Sequence, residues 1–222
     1  MPVFMFDAYG TLFDVHAAIA RHRAAAGPDA ERLSEIWRIK QLEYSWTLTL
    51  ADRYVDFWTL TERALDFALA RVPSANKELK PQYLAAYQTL DAYPDARLIL
   101  SELKSRGLST AILSNGTPAM LAAAVAAARL EPVLDAVLSV DPLRIYKPRP
   151  EVYQLACDFF HTTPGEIVFI SANRWDVMGA QAIGFRTVWV NRTGAPDEYG
   201  DAARSVASLA DLAAIDWRSS AR

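Results

Sequence analysis

The stretch "FDAYGTLFDV", residues 6 to 15, decides how the rest of the chain is read. A short apolar run from Val3 to Phe6 stops at the carboxylate of Asp7, and Tyr9, Gly10 and Thr11 follow at once. Four apolar residues in a row, with Val and Phe among them, suit a strand buried on both faces. From Val15 to about Ala92 the pattern changes. "AERLSEIWRIKQLEYSWTL" and "RYVDFWTLTERALDFALARV" space their apolar residues by three and four, with Glu, Arg, Leu and Ala between them. That is the period of amphipathic helices, and no strand interrupts it.

Beyond Tyr93-Pro94 the period alternates. Apolar runs at 108–114, 135–140, 167–171 and 186–191 read as strands. Helical patterns at 96–106, 118–130 and 150–160 and one running through Ile183 lie between them, and "TGAPDEYGD" reads as a loop. Strands alternating with helices of this length imply a parallel sheet covered on both faces. The expected architecture is α/β: a doubly wound, parallel-sheet, Rossmann-like core of residues 1–14 and 92–222, with a helical cap, 15–91, inserted after the first strand.

Composition excludes several classes of function. With 52% apolar and 22% charged residues, the chain can bury a sizeable core and has no disordered character. A net charge of −3 gives no field for nucleic acid or an anionic membrane. No run approaches the ~20 apolar residues of a membrane helix, and "MPVFMFDAYG" is too short and too polar for a signal peptide. Cys157, the single cysteine, cannot form an internal disulfide, which points to a reducing cytoplasm.

In open α/β sheets ligands bind at the carboxyl ends of the strands. Asp7 closes the first strand here, and Ser114 and Asn115 the second. Lys147 follows the third within "YKPRP", and Ser171, Asn173 and Asp176 follow the fourth within "SANRWD". Each alone reads as a turn former, a cap or a structural ion pair. Together on the binding edge they read as a site.

The order of these pieces resembles the haloacid dehalogenase superfamily, along essentially the whole chain. Its nucleophilic Asp matches "DAYGT", its Ser/Thr "SNG", its Lys "YKPRPEVY" and its acidic fourth motif "SANRWD". Most members are magnesium-dependent phosphatases, and two positions depart from them. Where phosphatases carry a second Asp as general acid this chain has Tyr9, and where they carry a metal-binding carboxylate it has Ala172, whose methyl group cannot ligate a hard cation. Halide leaves carbon as a stable anion and needs neither. "WRIKQLEYSW", "SANRWD" and "NRTG" resemble the 2-haloacid dehalogenase branch in particular.

That resemblance implies an enzyme in which Asp7 attacks Cα of an (S)-2-haloalkanoate and water then hydrolyses the resulting ester, with no metal and no cofactor. A carboxylate nucleophile and a carboxylate substrate ~4 Å apart repel by about 4 kcal/mol at an effective dielectric near 20. Lys147 is therefore expected to neutralise Asp7, with Ser114 and backbone N–H groups near Tyr9 holding the substrate carboxylate. The resemblance further places Arg38 and Asn115 around the halide, and Tyr9, Leu42, Phe57 and Trp175 in an apolar wall. Asp176 is the candidate to orient or deprotonate the water, supported by Ser171, Asn173 and Lys147; which of them takes the proton stays open. Thr11 is expected to bond near Asp7, and Tyr153 either to orient the nucleophile or to pack its helix. The competing reading is a magnesium-dependent small-molecule phosphatase of the same superfamily. The expected partners are the 2-haloacid and halide, with a second copy of the chain in a homodimer.

Overall fold

Val3–Phe6 form β1, and Phe4, Met5 and Phe6 are completely buried. Burial of side chains this size contributes roughly 1.5–3 kcal/mol each, which is why so short a strand can occupy the middle of a sheet. The computed structural model describes residues 2–200 and 204–215. The other strands are β2 (Ser109–Ser114), β3 (Ala136–Ser139), β4 (Ile167–Ser171), β5 (Arg186–Val190) and β6 (Arg204–Val206), all parallel, in the order β3-β2-β1-β4-β5-β6. Phe6 pairs with Ile112 on one side and Ile170 on the other, and the Asp7 N–H continues the ladder to the Ile170 carbonyl at 2.9 Å.

Between β1 and β2 lie α1 (Ala17–Ala20), α2 (Arg23–Ala26), α3 (Ala30–Leu50), α4 (Phe57–Arg71), α5 (Lys80–Gln88) and α6 (Ala96–Ser105). Along α3, Leu33, Trp37, Gln41 and Ser45 are buried at a spacing of four, so one face of the helix packs inward and includes two polar residues. Helices α7 (Pro118–Ala127), α8 (Pro150–Phe160) and α9 (Arg174–Ala182) connect the later strands, and α7 and α8 both begin on proline. Among the described residues no helix is long and apolar enough to cross a membrane.

Two details differ from the sequence reading. Helix α7 stops at Ala127 rather than Leu130, because Arg129 turns into the left-handed region at φ 54°. A sixth strand, β6, follows the loop that runs to Gly200; it is three residues long with two of them exposed, so it carries no apolar period to read. Asp201, the last residue of that expected loop, lies outside the described residues.

Candidate active site

Strand order reverses between β1 and β4, and Asp7 and Ser171 stand at the carboxyl ends of those two strands. This is the crevice where doubly wound sheets bind ligands. Asp7 is 5% exposed and accepts three side-chain hydrogen bonds. Thr11 Oγ1 and Asn173 Nδ2 donate to its Oδ2 at 2.9 and 2.8 Å, and Lys147 Nζ donates to its Oδ1 at 3.1 Å. The Thr11 hydroxyl in turn accepts from the Ala172 N–H at 2.9 Å, which ties the β1 turn to the end of β4.

Lys147 is the bridge of the site. Its ammonium, 1% exposed, also donates to Asp176 Oδ2 at 2.8 Å and lies 4.9 Å from the centre of the Phe169 ring. Burial works to lower the Lys147 pKa, but Asp176 and Asp7 outweigh it and hold the group above its ordinary range. Asp176, fully buried in the first turn of α9, also accepts from the Tyr153 hydroxyl at 2.7 Å and the Ser171 hydroxyl at 3.2 Å. Burial raises its pKa to about 6 against the pull of Lys147, with Asp7 adding to the rise. Burial, then Asp176, keeps the Tyr153 phenol far above its usual value, so Tyr153 is a neutral donor.

From α3, Arg38 reaches down to the same turn. Its Nη2 donates to the Tyr9 carbonyl at 3.0 Å and to Asn173 Oδ1 at 3.4 Å, and its Nη1 to Gln41 Oε1 at 2.9 Å. The Tyr9 ring, 3% exposed, packs 6.0 Å from Phe57 and stacks 5.7 Å from Tyr87. A Cβ on Gly116 would come within 2.8 Å of Tyr9 Cε2, so only glycine lets the ring seat there.

Of the residues singled out in the sequence, Asp7, Thr11, Lys147, Tyr153, Ser171, Asn173 and Asp176 form one hydrogen-bonded cluster, with Arg38 joined through Asn173. Asn115 is buried, and its Oδ1 accepts from the Lys147 backbone N–H at 3.1 Å. Ser114 is fully buried, but its hydroxyl accepts from the Gly116 N–H at 3.2 Å and makes no bond to the Asp7 cluster among the described residues. The N–H groups of Gly10 and Thr11 serve the turn's own carbonyls, while those of Ala8 and Tyr9 have no partner among the described residues. Trp175 is half-buried edge-on to Trp46 of α3, 5.3 Å between ring centres, and lines an apolar cavity of about 340 Å³ with Tyr146, Pro148 and Met178. Leu42 is half-buried one turn beyond Arg38. Gln41 and Tyr87 were not singled out. Gln41 stands inside the "KQLEY" motif, where a glutamine on an inward helical face was the available signal; Tyr87 had none.

A family model described as haloacid dehalogenase-like hydrolase matches residues 1–184. The chain belongs to this family. Among curated haloacid dehalogenase-like relatives, (S)-2-haloacid dehalogenase 4A of Burkholderia cepacia is 52% identical, covering 88% of this chain and 85% of that protein. The (S)-2-haloacid dehalogenase 1 of a Pseudomonas species (strain CBS-3) is 50% identical over 94% and 93%. The L-2-haloacid dehalogenase of Xanthobacter autotrophicus, solved with chloropropionic acid covalently bound, superposes with a TM-score of 0.86 at 38% identity, over 96% of this chain and 97% of that one.

The site does not fit the magnesium ion that phosphatases of the superfamily use. An ammonium already bridges Asp7 and Asp176, and the Tyr9 carbonyl is taken by Arg38 and, at 3.3 Å, by Asn173. Ala172 offers a methyl group where a carboxylate is needed. Among the described residues no group of three or more His, Cys, Asp or Glu side chains is arranged to hold a metal.

Proposed function

We propose that the chain is a metal-independent hydrolase of short (S)-2-haloalkanoic acids that yields (R)-2-hydroxy acids, with residues 15–91 acting as a cap over the strand edge. The observation that carries this reading is Asp7 held by Lys147, Thr11 and Asn173 in a turn where Tyr9 and Ala172 supply neither a phosphatase's acid nor its metal-binding carboxylate. In the first step an Asp7 oxygen forms a bond to Cα, and the carbon–halogen bond breaks with its electron pair on the halide. Back-side displacement inverts Cα. Arg38 and Asn115 face the departing anion, the free N–H groups of Ala8 and Tyr9 together with Ser114 hold the substrate carboxylate, and Tyr9, Leu42, Phe57 and Trp175 keep water out. In the second step water attacks the Asp7 carbonyl carbon, the bond to the alkyl oxygen breaks, and the hydroxy acid leaves with an oxygen from Asp7. Asp176 orients or deprotonates that water, with Lys147, Ser171 and Asn173 around it.

Halide release from (S)-2-chloropropionate, measured after exhaustive EDTA treatment and dialysis, tests the reading. Turnover is expected to persist with p-nitrophenyl phosphate untouched. Activity that vanishes with EDTA and returns with Mg²⁺, or phosphatase activity in its place, would sink it.

The raised pKa of Asp176 sets a second expectation. If Asp176 serves the water step as a carboxylate, hydrolysis of the ester rises with pH through a midpoint below the value of about 6 that Asp176 has beside a charged Asp7, because the ester is neutral, and the intermediate accumulates below that midpoint. Rapid-quench mass spectrometry of the protein at pH 5 and pH 8 reads this directly. Equal ester occupancy at both pH values counts against Asp176.

A further inference from the structure

Among the described residues, Arg38 is held by neutral groups only. Its acceptors are the Tyr9 carbonyl, the amide oxygen of Asn173 and the amide oxygen of Gln41, so its charge is not cancelled by any of them. Gln41 is 1% exposed, and its orientation is fixed by a chain of donors and acceptors. The Thr61 hydroxyl gives its single proton to the Phe57 carbonyl at 2.7 Å and can therefore only accept from Gln41 Nε2, which it does at 2.6 Å. With Nε2 turned to Thr61, Oε1 must face Arg38, and the Tyr87 hydroxyl packs against the same amide, accepting from Nε2 at 3.0 Å and donating to Oε1 at 3.1 Å. Burial raises the Tyr87 pKa, so it remains a donor. Tyr87 also stacks on Tyr9, and Trp37 Nε1 donates to the Thr61 carbonyl at 2.8 Å, so the assembly ties α3, α4 and α5 to the β1 turn.

From this geometry we infer that Gln41 is a positioning residue for the halide site: its fixed amide aims the Arg38 guanidinium into the crevice while leaving the positive charge uncompensated. The inference rests on the dehalogenase reading with Arg38 facing the halide. A carboxylate at position 41 has the same shape but would pair with Arg38 and cancel the charge an anion needs.

The discriminating variant is therefore Gln41→Glu. It is expected to raise both KM for (S)-2-chloropropionate and the inhibition constant for bromide by at least roughly tenfold, in a protein whose circular dichroism shows the native fold. A residue that only packs would leave both constants in place, because shape and volume are kept. Thr61→Val guards against misfolding of the charged variant. It keeps the side-chain shape while removing the hydroxyl that accepts from the amide and donates to the Phe57 carbonyl, and is expected to lower kcat/KM about tenfold. Unchanged KM and bromide inhibition in a folded Gln41→Glu protein, or wild-type kcat/KM in Thr61→Val, overturns the inference. A wild-type protein that releases no halide refutes the dehalogenase reading instead, so the two failures are separable.

Discussion

In a single turnover with enzyme in excess in heavy-oxygen water, the solvent oxygen is expected on Asp7 and none in the 2-hydroxy acid. Two mechanisms use the same residues. Either Asp7 attacks carbon and water later attacks the ester carbonyl, or Asp7 acts as a base and water attacks Cα directly. The surroundings of Asp7 favour the first. Its carboxylate accepts from a lysine ammonium, a threonine hydroxyl and an asparagine amide, which fix the direction of its oxygens. A base that took up a proton would have to give up one of these contacts. Direct attack transfers an Asp7 oxygen to the product, so mass spectrometry of the peptide holding "FDAYGTLFDV" should find the label there. Water attack would label the product and leave the peptide light. Asp7→Ala should accordingly lose activity by about 10⁴-fold or more. It should stay folded, because Lys147 keeps its partner Asp176 at 2.8 Å.

Lys147→Met is expected to be the most damaging single change for stability. The methionine fills the volume of the lysine stem but leaves Asp7 and Asp176 without the cation between them, one 5% and the other 0% exposed. Removing one partner of a buried ion pair destabilises by about 3–5 kcal/mol, and with the nucleophile no longer neutralised, activity should fall by about 10³-fold or more. The pH dependence has a definite sign. Asp176 already titrates near 6 with the lysine present, and without that attraction its folded pKa rises further. A carboxylate whose folded pKa exceeds its unfolded value of about 4 weakens the fold in its charged form. The deficit of the variant should therefore be small below about pH 4, where Asp176 is protonated. It should grow as pH rises past 6 and reach its full size above the folded pKa. Urea titrations of wild type and variant at pH 4 and pH 8 measure this; an equal deficit at both would mean that packing, not charge, sets the loss.

Much of the molecule could be read without coordinates. The strands β1 to β5 and the helical block between the first two follow from apolar period, and the polar residues at four strand ends follow from where those periods stop. The absence of a phosphatase's acid and metal ligand is likewise local, since Tyr9 and Ala172 are single residues at motif positions. These features are properties of consecutive residues, and burial on a strand or a helix imposes its period directly on them.

Partnership is a different matter. That Lys147 lies between Asp7 and Asp176, and that Tyr153 bonds Asp176 rather than only packing α8, depend on contacts between residues up to 140 positions apart. Gln41 reads in sequence as one more polar helix residue. Only when α4 brings Thr61 and α5 brings Tyr87 against it does its amide acquire one orientation. Period and motif determined which elements form and which chemistry stands at their ends, because both are written within a few residues. The packing of distant elements decided which donor meets which acceptor, because a buried polar group must take whatever partner the fold places beside it.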